Sequence, residues 1–324
     1  MNRPIPHTVE PSRPLRTDEI RRGRFARTIR TDSPDGGAVA LLGIPDDTGV
    51  GLNHGRPGAA EGPSAVRAAL STYGGDYDSL LERTVDVPVY DAGDIAVSTR
   101  PDAIESLHET HDRVTEAVRA IHELGMVPLC LGGGHDLTFP SVRALAQHTG
   151  GPVGGLNVDA HLDVREEVGS GMPFRSLIEG GFLDAGCFTT LGVGRFSNNQ
   201  EHCEWLRERG GRLVDAEMVL RSDAPLKEAF SKLARGDNPD RAAFVTIDMD
   251  AIDASQAPGV SAMNPMGLHV RHAAEIARRA GAKTSIRHLD IMELSPPHDA
   301  DGRTARIAAL LVMHFLAGFA GRLA

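Results

Sequence analysis

The sequence has little cysteine, no excess of positive charge and no long apolar run, and each shortage excludes a class of protein. Cys130, Cys187 and Cys203 are widely spaced, which leaves no disulfide framework or CxxC pair and fits a reducing cytoplasm. The net charge of -10 argues against nucleic acid, because phosphate binding requires a basic face. We expect no membrane helix, which needs roughly 18 apolar residues, and the N-terminus lacks the apolar core of a signal peptide. A cytoplasmic protein without nucleic-acid or membrane partners is therefore predicted.

The composition divides the 324 residues into an N-terminal arm and one large domain. Residues 1–37 hold five prolines and many arginines with little apolar periodicity, so we expect a partly disordered arm, with disorder in residues 1–15. In residues 38–324, short Val- and Leu-rich runs alternate with amphipathic segments, which is typical of a parallel α/β sheet. The predicted strands are 38–44, 88–91, 126–131, 153–158, 189–193, 243–247 and 286–291, and the predicted helices are 62–70, 101–124, one near 216, 225–234, 273–280 and 305–320.

Acidic and imidazole side chains follow directly after three of the predicted strands. In the segment 158–164, an extended backbone would place two aspartates and a histidine on one face, because strand side chains alternate. Ligands collect at the carboxyl ends of strands in open α/β sheets, so the three segments are predicted to share one cleft. Burying an isolated carboxylate is strongly unfavourable in free energy, and a bound divalent cation would compensate its negative charge. The candidate metal ligands are His135, Asp159, His161, Asp163, Asp248 and Asp250.

This ligand set indicates both the type of metal and the chemistry. Carboxylates and imidazoles suit Mn²⁺ better than an ion that prefers thiolates. Fe²⁺, Co²⁺ and Ni²⁺ also accept such ligands. Two ions would balance the four carboxylate charges, and bound cations lower the pKa of water to about 7. The cluster is therefore predicted to produce a nucleophile at neutral pH. A capping turn or a phosphate loop would explain one of the segments, but the three together favour a metal site.

Four segments resemble those of the ureohydrolase family, the group of arginases, agmatinases and formimidoylglutamases. They are GGGHD (132–136), DAHLD (159–163), DMDAID (248–253) and LDIMEL (289–294). The resemblance implies an α/β fold, a three-layer α/β/α sandwich around a mostly parallel sheet of about eight strands. It also implies two Mn²⁺ ions per subunit on the six candidate ligands, and a homo-oligomer, either a trimer or a hexamer. By the same resemblance, Glu293 would grip the cationic amidine or guanidine of a small-molecule substrate.

One departure from arginases and agmatinases favours formimidoylglutamase. Those enzymes carry a histidine in a His-Gly motif after the DAHxD segment, and Ser170 stands there in this chain. The stretch 170–174 instead resembles the Ser-Gly-x-Pro-Phe segment of formimidoylglutamases. That resemblance implies hydrolysis of N-formimino-L-glutamate to L-glutamate and formamide, a step of histidine degradation. The expected catalytic residues are Glu293 and Asp163, with Asp163 moving a proton to the leaving nitrogen.

The two carboxylates of such a substrate would need bidentate arginines. Arg56, in the first strand-end loop, and Arg175, just past the metal segment, are the candidates, with Asn53 and Ser170 as polar helpers. Agmatine has no carboxylate, so these arginines would have no role in an agmatinase. Two alternatives remain: a guanidine hydrolase of the agmatinase, arginase or guanidinobutyrase type that releases urea, and a non-catalytic metal-binding homologue.

Overall fold

The computed structural model describes residues 4–233 and 241–323, in which strands and helices alternate along most of the chain. The strands are β1 (Thr8–Val9), β2 (Val39–Gly43), β3 (Tyr77–Asp78), β4 (Arg83–Thr84), β5 (Val89–Ile95), β6 (Val127–Leu131), β7 (Val153–Val158), β8 (Leu183–Val193), β9 (Arg212–Asp215), β10 (Ala243–Asp248) and β11 (Ile286–Met292). The helices are α1 (Thr48–Leu52), α2 (Gly62–Thr72), α3 (Ala103–Glu123), α4 (Thr138–Thr149), α5 (Pro173–Glu179), α6 (Gln200–Glu208), α7 (Ala216–Arg221), α8 (Ala224–Ser231), α9 (Val270–Ala282) and α10 (Arg303–Leu323).

Nine strands of the described residues form one sheet, in the order β1-β5-β2-β6-β11-β10-β7-β8-β9. Every neighbouring pair from β5 to β9 is parallel. The ninth strand, β1, is only two residues long and pairs antiparallel with β5 at the edge. The predicted fold is confirmed: eight parallel strands form the body of a three-layer α/β/α sandwich.

Each central strand supplies side chains to two apolar cores, one on either face of the sheet. Leu41 of β2 and Leu129 of β6 belong to the larger core, which α2, α9 and α10 cover. Their neighbours Leu42 and Cys130 belong to the opposite core, under α3. A strand that is buried on both faces reads as a continuous apolar run. This explains why the central strands were recognisable in the sequence.

Several elements differ from the prediction where polar residues interrupt the apolar pattern. β5 continues to Ile95 beyond the predicted 88–91, because its Asp91 and Asp94 are buried polar residues. β8 begins at Leu183, six residues before the predicted start. β9 and the helices α4, α5 and α6 were not predicted. The predicted helix at 225–234 corresponds to α8, and its last position lies outside the described residues.

The N-terminal arm packs against the domain over the part that the structure describes. Ile5, Leu15 and Phe25 are buried, and β1 pairs with β5. We expected disorder in residues 1–15, but residues 4–15 have a defined position, because these dispersed apolar side chains contribute to the two cores. Residues 1–3 lie outside the described residues. The division into an arm at 1–37 and a single domain at 38–324 stays a prediction.

The helix α10 is, by length and composition, apolar enough to cross a membrane, contrary to our expectation from the sequence. It is the one such helix in the described part of the chain. Its apolar stretch is 67% buried within the protein, and the helix packs mainly against α9 and α2. The core helix of a soluble protein has the same composition, and the burial of α10 accounts for its apolar character.

A buried ion-pair network joins α2 to β5. The fully buried Arg67 donates from Nη2 to Asp91 Oδ1 at 2.8 Å and from Nη1 to Asp94 Oδ1 at 2.6 Å. The pairing of β5 with β2 shifts register before Gly93, whose φ is 93°. Such a bulge adds one residue to the strand, so that two aspartates three positions apart point to the same side. The network therefore depends on local strand geometry as well as on charge.

Replacing Arg67 with methionine is expected to lower the free energy of unfolding by about 3–5 kcal/mol. The change keeps an elongated apolar stem but removes the cation from beside two buried carboxylates. Urea unfolding followed by circular dichroism, at one fixed protein concentration, measures the loss. Arg100→Met is the control, because Arg100 pairs with Glu109 at the surface and should leave the midpoint unchanged. Equal midpoints for the two variants would contradict a stabilising role for the network.

Candidate metal centre

The carboxyl ends of four adjacent strands, β6, β11, β10 and β7, bring the candidate ligands together. Each strand contributes a charged or imidazole side chain at its end or just after it. These side chains are His135 after β6, Glu293 after β11, Asp248 at the end of β10 and Asp159 after β7. Parallel strands end at the same edge of a sheet, so segments far apart in sequence meet in one crevice. The predicted strand-end cleft is therefore present in the structure.

Four side chains surround an inner position in this crevice. His135 Nδ1 lies 2.9 Å from Asp163 Oδ2, 3.2 Å from Asp248 Oδ2 and 3.3 Å from Asp159 Oδ2. One ligand atom from each of the four residues lies within 4.8 Å of all the others. His135 Nδ1 is buried and makes no hydrogen bond despite these short distances. The atoms therefore face a common space, as the ligands of a cation do.

A second group of three side chains adjoins the first and shares Asp159 with it. His161 Nδ1 lies 3.1 Å from Asp250 Oδ2 and 3.4 Å from Asp159 Oδ1. Asp159 thus presents Oδ2 to His135 and Oδ1 to His161, which is the arrangement of a carboxylate between two cations. Asp250 Oδ1 is buried and has no hydrogen-bond partner. All six residues that the sequence singled out as ligands are present in these two groups.

Backbone turns, rather than strand alternation, bring the side chains of each segment together. We expected residues 158–164 to be extended, but β7 ends at Val158 and the chain bends from Asp159. Asp159 Oδ1 accepts a hydrogen bond from the backbone N–H of His161 at 2.7 Å. Asp248 Oδ1 accepts one from the N–H of Asp250, also at 2.7 Å. Aspartate side chains commonly close turns in this way, and here the turn directs a second ligand inward.

Two acidic residues of the crevice have a backbone conformation that is rare for residues other than glycine. Asp163 has a φ of 48° and Glu293 a φ of 64°. Residues in such conformations cluster at functional sites, where the surrounding structure imposes them. The N–H of Phe174 donates to the carbonyl oxygen of Asp163, and the N–H of Glu293 donates to that of Gly133. These bonds hold the two turns that place the carboxylates in the crevice.

The pKa shifts in the crevice reflect burial and the mutual repulsion of several carboxylates. Burial and the charge of Asp250 raise the pKa of Asp248 well above its usual range. Burial raises the pKa of Asp250 to about 6. The charge of Asp250 in turn raises the pKa of His161 well above that of a free imidazole. The crevice therefore attracts positive charge, and its oxygen and imidazole donors fit divalent cations of the manganese type.

Glu293 lies beside the two ligand groups without belonging to either of them. Its Oε1 accepts a hydrogen bond from the backbone N–H of His135 at 2.9 Å, and the side chain is buried. Burial and the charge of Asp248 raise its pKa well above the usual range. The predicted role of Glu293 in binding the cationic part of a substrate stays a prediction.

The two predicted polar helpers, Asn53 and Ser170, contact each other. Ser170 Oγ donates to Asn53 Oδ1 at 3.4 Å, and the same oxygen accepts from the N–H of Gly171 at 2.7 Å. The N–H of Ser170 donates to the carbonyl oxygen of Gly49 in α1. A Cβ on Gly169 would lie 2.3 Å from the Asn53 amide nitrogen, so glycine is required there. These contacts fix the loop 169–171 against α1.

Both predicted arginines already bind other groups of the protein. Arg56 donates from Nε to the carbonyl oxygen of Ser261 and from Nη2 to that of Val260. Arg175 is buried: it donates to the Val164 carbonyl oxygen, pairs with a glutamate and stacks on a tryptophan ring. The guanidinium of Arg56 is therefore committed to a loop. Arg175 still lines the outer cavity, and its Nε and Nη1 are in use.

Arg165, which lines the cavity above the ligand groups, was not among the predicted site residues. This cavity has a volume of about 390 Å³, and its wall includes His161, Asp163 and Arg175. Among the described residues, no ion pair or side-chain hydrogen bond of Arg165 is present. Its guanidinium is thus available at the mouth of the crevice. Its position in the sequence, two residues after Asp163 in the same loop, could have marked it as a candidate site residue.

Comparisons with known proteins agree with this site. Residues 37–318 match the model of the Arginase family. The chain is 35% identical to a formimidoylglutamase of Ralstonia nicotianae, over 92% of this chain and 90% of that protein. It is 33% identical to the mitochondrial guanidino acid hydrolase of Homo sapiens, over 88% of this chain and 79% of that protein.

A solved structure is similar over almost the whole fold. The formiminoglutamase of Trypanosoma cruzi, crystallised with Mn²⁺, has a TM-score of 0.84 and 30% sequence identity. The match covers 92% of this chain and 98% of that one. The family resemblance seen in the sequence is confirmed, and so is the three-layer fold that it implied. The chain belongs to the arginase family.

Proposed function

We propose that the protein is a metal-dependent hydrolase that converts N-formimino-L-glutamate and water to L-glutamate and formamide. The observation that carries this proposal is the pair of ligand groups that share Asp159 and lie beside the buried Glu293. The choice of substrate is supported by Ser170, which stands where arginases and agmatinases carry a histidine. Relatives named formimidoylglutamase, at up to 35% identity, support the same choice.

The cofactor is proposed to be two Mn²⁺ ions per chain. His135, Asp163 and Asp248 would hold one ion, His161 and Asp250 would hold the other, and Asp159 would contribute to both. The buried Nδ1 of His135 and Oδ1 of Asp250 have no hydrogen bond, so each gains a partner when a cation binds. When bound, the ions would acidify a water molecule and polarise the amidine.

Asp163 is proposed to transfer the proton that the reaction requires. Its Oδ2 faces His135, and its side chain is 13% exposed, more than those of His135, Asp159 and Asp248. It also lines the outer cavity, where a substrate would enter. These two features support the proposal that Asp163 would accept a proton from the attacking water and donate it to the leaving glutamate nitrogen.

Glu293 and Arg165 are proposed to bind opposite ends of the substrate. The carboxylate of Glu293, fixed by the N–H of His135, would attract the cationic amidine. Arg165, at the cavity wall, would bind a carboxylate of the glutamate part in a bidentate manner. Arg175 would add positive charge to the same wall. Asn53 and Ser170 would shape the wall, whereas Arg56 would fix a loop through its bonds to backbone carbonyls.

A guanidine hydrolase of the agmatinase, arginase or guanidinobutyrase type is the second candidate function. The similarity to the guanidino acid hydrolase of Homo sapiens favours it. A guanidino acid carries a carboxylate as well as a cation, so an arginine at the cavity mouth would suit it too. The two functions differ in their products, because the guanidine reaction releases urea.

The setting of the enzyme is also a proposal. We propose that it works in the cytoplasm, where its three free cysteines stay reduced. We further propose a homo-oligomer, a trimer or a hexamer, as the family resemblance implied. The acidic net charge supports a small-molecule substrate rather than nucleic acid.

Purified protein loaded with Mn²⁺ is expected to convert N-formimino-L-glutamate to equal amounts of formamide and glutamate. Arginine, agmatine and 4-guanidinobutyrate are the comparison substrates, and urea is the product to measure for them. Urea release from one of these, at a higher kcat/KM than formamide release, would identify the second candidate. Two bound ions with no turnover on any of the four would identify a non-catalytic homologue.

The variants His161→Ala and Asp248→Ala are expected to lose bound metal and activity together. Each removes one ligand atom from a different group, so metal content should fall from two ions per chain to one or none. Metal analysis of the purified proteins and the formamide assay measure the two effects. His202→Ala is the matched control, because His202 lines the outer cavity but belongs to neither group, and it should keep both ions. Full metal content in both test variants would refute the ligand assignment.

The variant Arg165→Ala is expected to lower kcat/KM roughly 10- to 100-fold, mainly through KM, because charged hydrogen bonds contribute about 1.5–3 kcal/mol. Steady-state kinetics on N-formimino-L-glutamate measure the loss, and metal content should remain at two ions. Arg195→Ala is the control, since Arg195 is exposed and pairs with Glu217. If Arg165→Ala keeps the KM of the parent protein, the substrate carboxylate binds elsewhere.

A further inference from the structure

A row of buried polar side chains leads from His135 into the interior of the sheet, away from the crevice. His135 Nε2 lies 3.0 Å from Thr246 Oγ1, which lies 3.3 Å from Thr138 Oγ1. Thr138 Oγ1 donates to Asp290 Oδ2 at 3.1 Å. Thr138, Thr246 and Asp290 have no solvent exposure. The row therefore connects a metal-ligand candidate to a buried carboxylate through two hydroxyl groups.

The fold fixes the positions of these groups. Thr246 of β10 and Asp290 of β11 are paired in the parallel register, so their side chains lie side by side on one face. Thr138 begins α4, which packs on that face and starts three residues after His135. Asp290 is also close to His288, whose Nε2 lies 3.2 Å from Oδ2. Each member of the row thus has a defined partner.

The donor and acceptor capacities of these groups fix the direction of each hydrogen bond in the row. A carboxylate only accepts hydrogen bonds, so the hydroxyl proton of Thr138 points to Asp290. Thr138 Oγ1 can then only accept from Thr246, whose single hydroxyl proton is thereby used. Thr246 Oγ1 must consequently accept from His135, which requires the proton of the imidazole to be on Nε2. Nδ1 is left with a free lone pair, and it faces the carboxylates of the inner ligand group.

We propose that Asp290, Thr138 and Thr246 are positioning residues that keep His135 in the tautomer able to bind a cation through Nδ1. The inference rests on the metal centre of the proposed function and adds three residues that touch neither the ions nor the substrate. Partners of the far nitrogen of a metal-binding histidine commonly orient the ring and raise its basicity. Here the orienting carboxylate is Asp290, which is connected to His135 through three successive hydrogen bonds.

Thr246→Val is expected to weaken Mn²⁺ binding 10- to 100-fold, as is typical for the loss of such a partner. Valine has nearly the shape of threonine but cannot accept the Nε2 proton. The dissociation constant is measured by titrating metal-free protein with Mn²⁺, with circular dichroism to check folding. Thr246→Ser, which keeps the hydroxyl, should restore most of the affinity.

Thr190→Val is the matched control for this change. Thr190 lies in β8 in the same row of the sheet, two strands from Thr246, because both residues pair with Asn157. Its side chain is equally buried, and its Oγ1 has no hydrogen-bond partner. The control variant should bind Mn²⁺ as the parent protein does. Equal affinities for Thr246→Val and Thr190→Val would overturn the proposal.

Thr138→Val tests whether the row acts as a chain, because the Thr138 hydroxyl bonds to Thr246 and Asp290 and not to His135. The one bond from Thr138 to His135 is made by its backbone N–H to the carbonyl oxygen, and valine keeps it. Without its acceptor, the Thr246 hydroxyl can turn its proton toward His135, so Mn²⁺ affinity should fall more than in Thr190→Val. The double variant with Thr246→Val should bind no more weakly than Thr246→Val alone, since the effect already passes through Thr246. Losses that add independently would overturn the proposal.

The Mn²⁺ affinities of these variants do not depend on which substrate the enzyme uses. If the parent protein binds two ions but releases no formamide, the proposed function fails while the affinity comparison still decides the role of the row. If Thr246→Val binds Mn²⁺ as tightly as the parent and the parent is active, only the role of the row fails.

Discussion

The structure depends on a concentration of negative charge buried at the ends of four parallel strands. Two like charges about 4 Å apart repel by about 4 kcal/mol at an effective dielectric constant of about 20, and four aspartates and Glu293 share this crevice. Such an arrangement is stable only if the sheet imposes it or if cations compensate it. Here both conditions act together: the apolar cores on the two faces fix the strand ends, and the donor atoms leave space for ions instead of bonding to each other.

The need to compensate buried charge also explains the network around Arg67, which lies outside the crevice. Arg67 is as buried as His135, but Asp91 and Asp94 satisfy most of its donors, so that network is closed and offers nothing to a ligand. In the crevice, by contrast, His135 Nδ1 and Asp250 Oδ1 stay without hydrogen bonds. Burial and charge alone therefore do not distinguish a functional site from a structural one in this protein. These two regions differ in that Arg67 bonds to its neighbours within the chain, whereas His135 Nδ1 and Asp250 Oδ1 lie among charged groups without a hydrogen bond.

The sequence predicted the central strands and the ligands because both depend on local patterns. A strand buried on two faces is a continuous apolar run, and the carboxylates and imidazoles that follow such a run stand out in the sequence. Contacts between distant segments decide three other features: the packing of the arm, the length of β5 and the binding partners of the arginines. Arg56, Arg165 and Arg175 are all arginines close to the motifs. Of these three, Arg165 alone has no side-chain partner within residues 4–233 and 241–323. Ser261 and Val260, which bind Arg56, are about two hundred residues away in sequence.

Ser170 gives the crevice a constraint on proton transfer that an arginase-type histidine would remove. A serine hydroxyl has no acidic proton near neutral pH, so it cannot protonate a leaving nitrogen, although it can hold a hydrogen bond as it does with Asn53. For the proposed reaction, the proton would then come from a group that reaches both the ligand cluster and the cavity. Asp163 meets both conditions, since it lies 2.9 Å from His135 Nδ1 and also lines the cavity. Its left-handed backbone, with a φ of 48°, turns this one side chain toward both places.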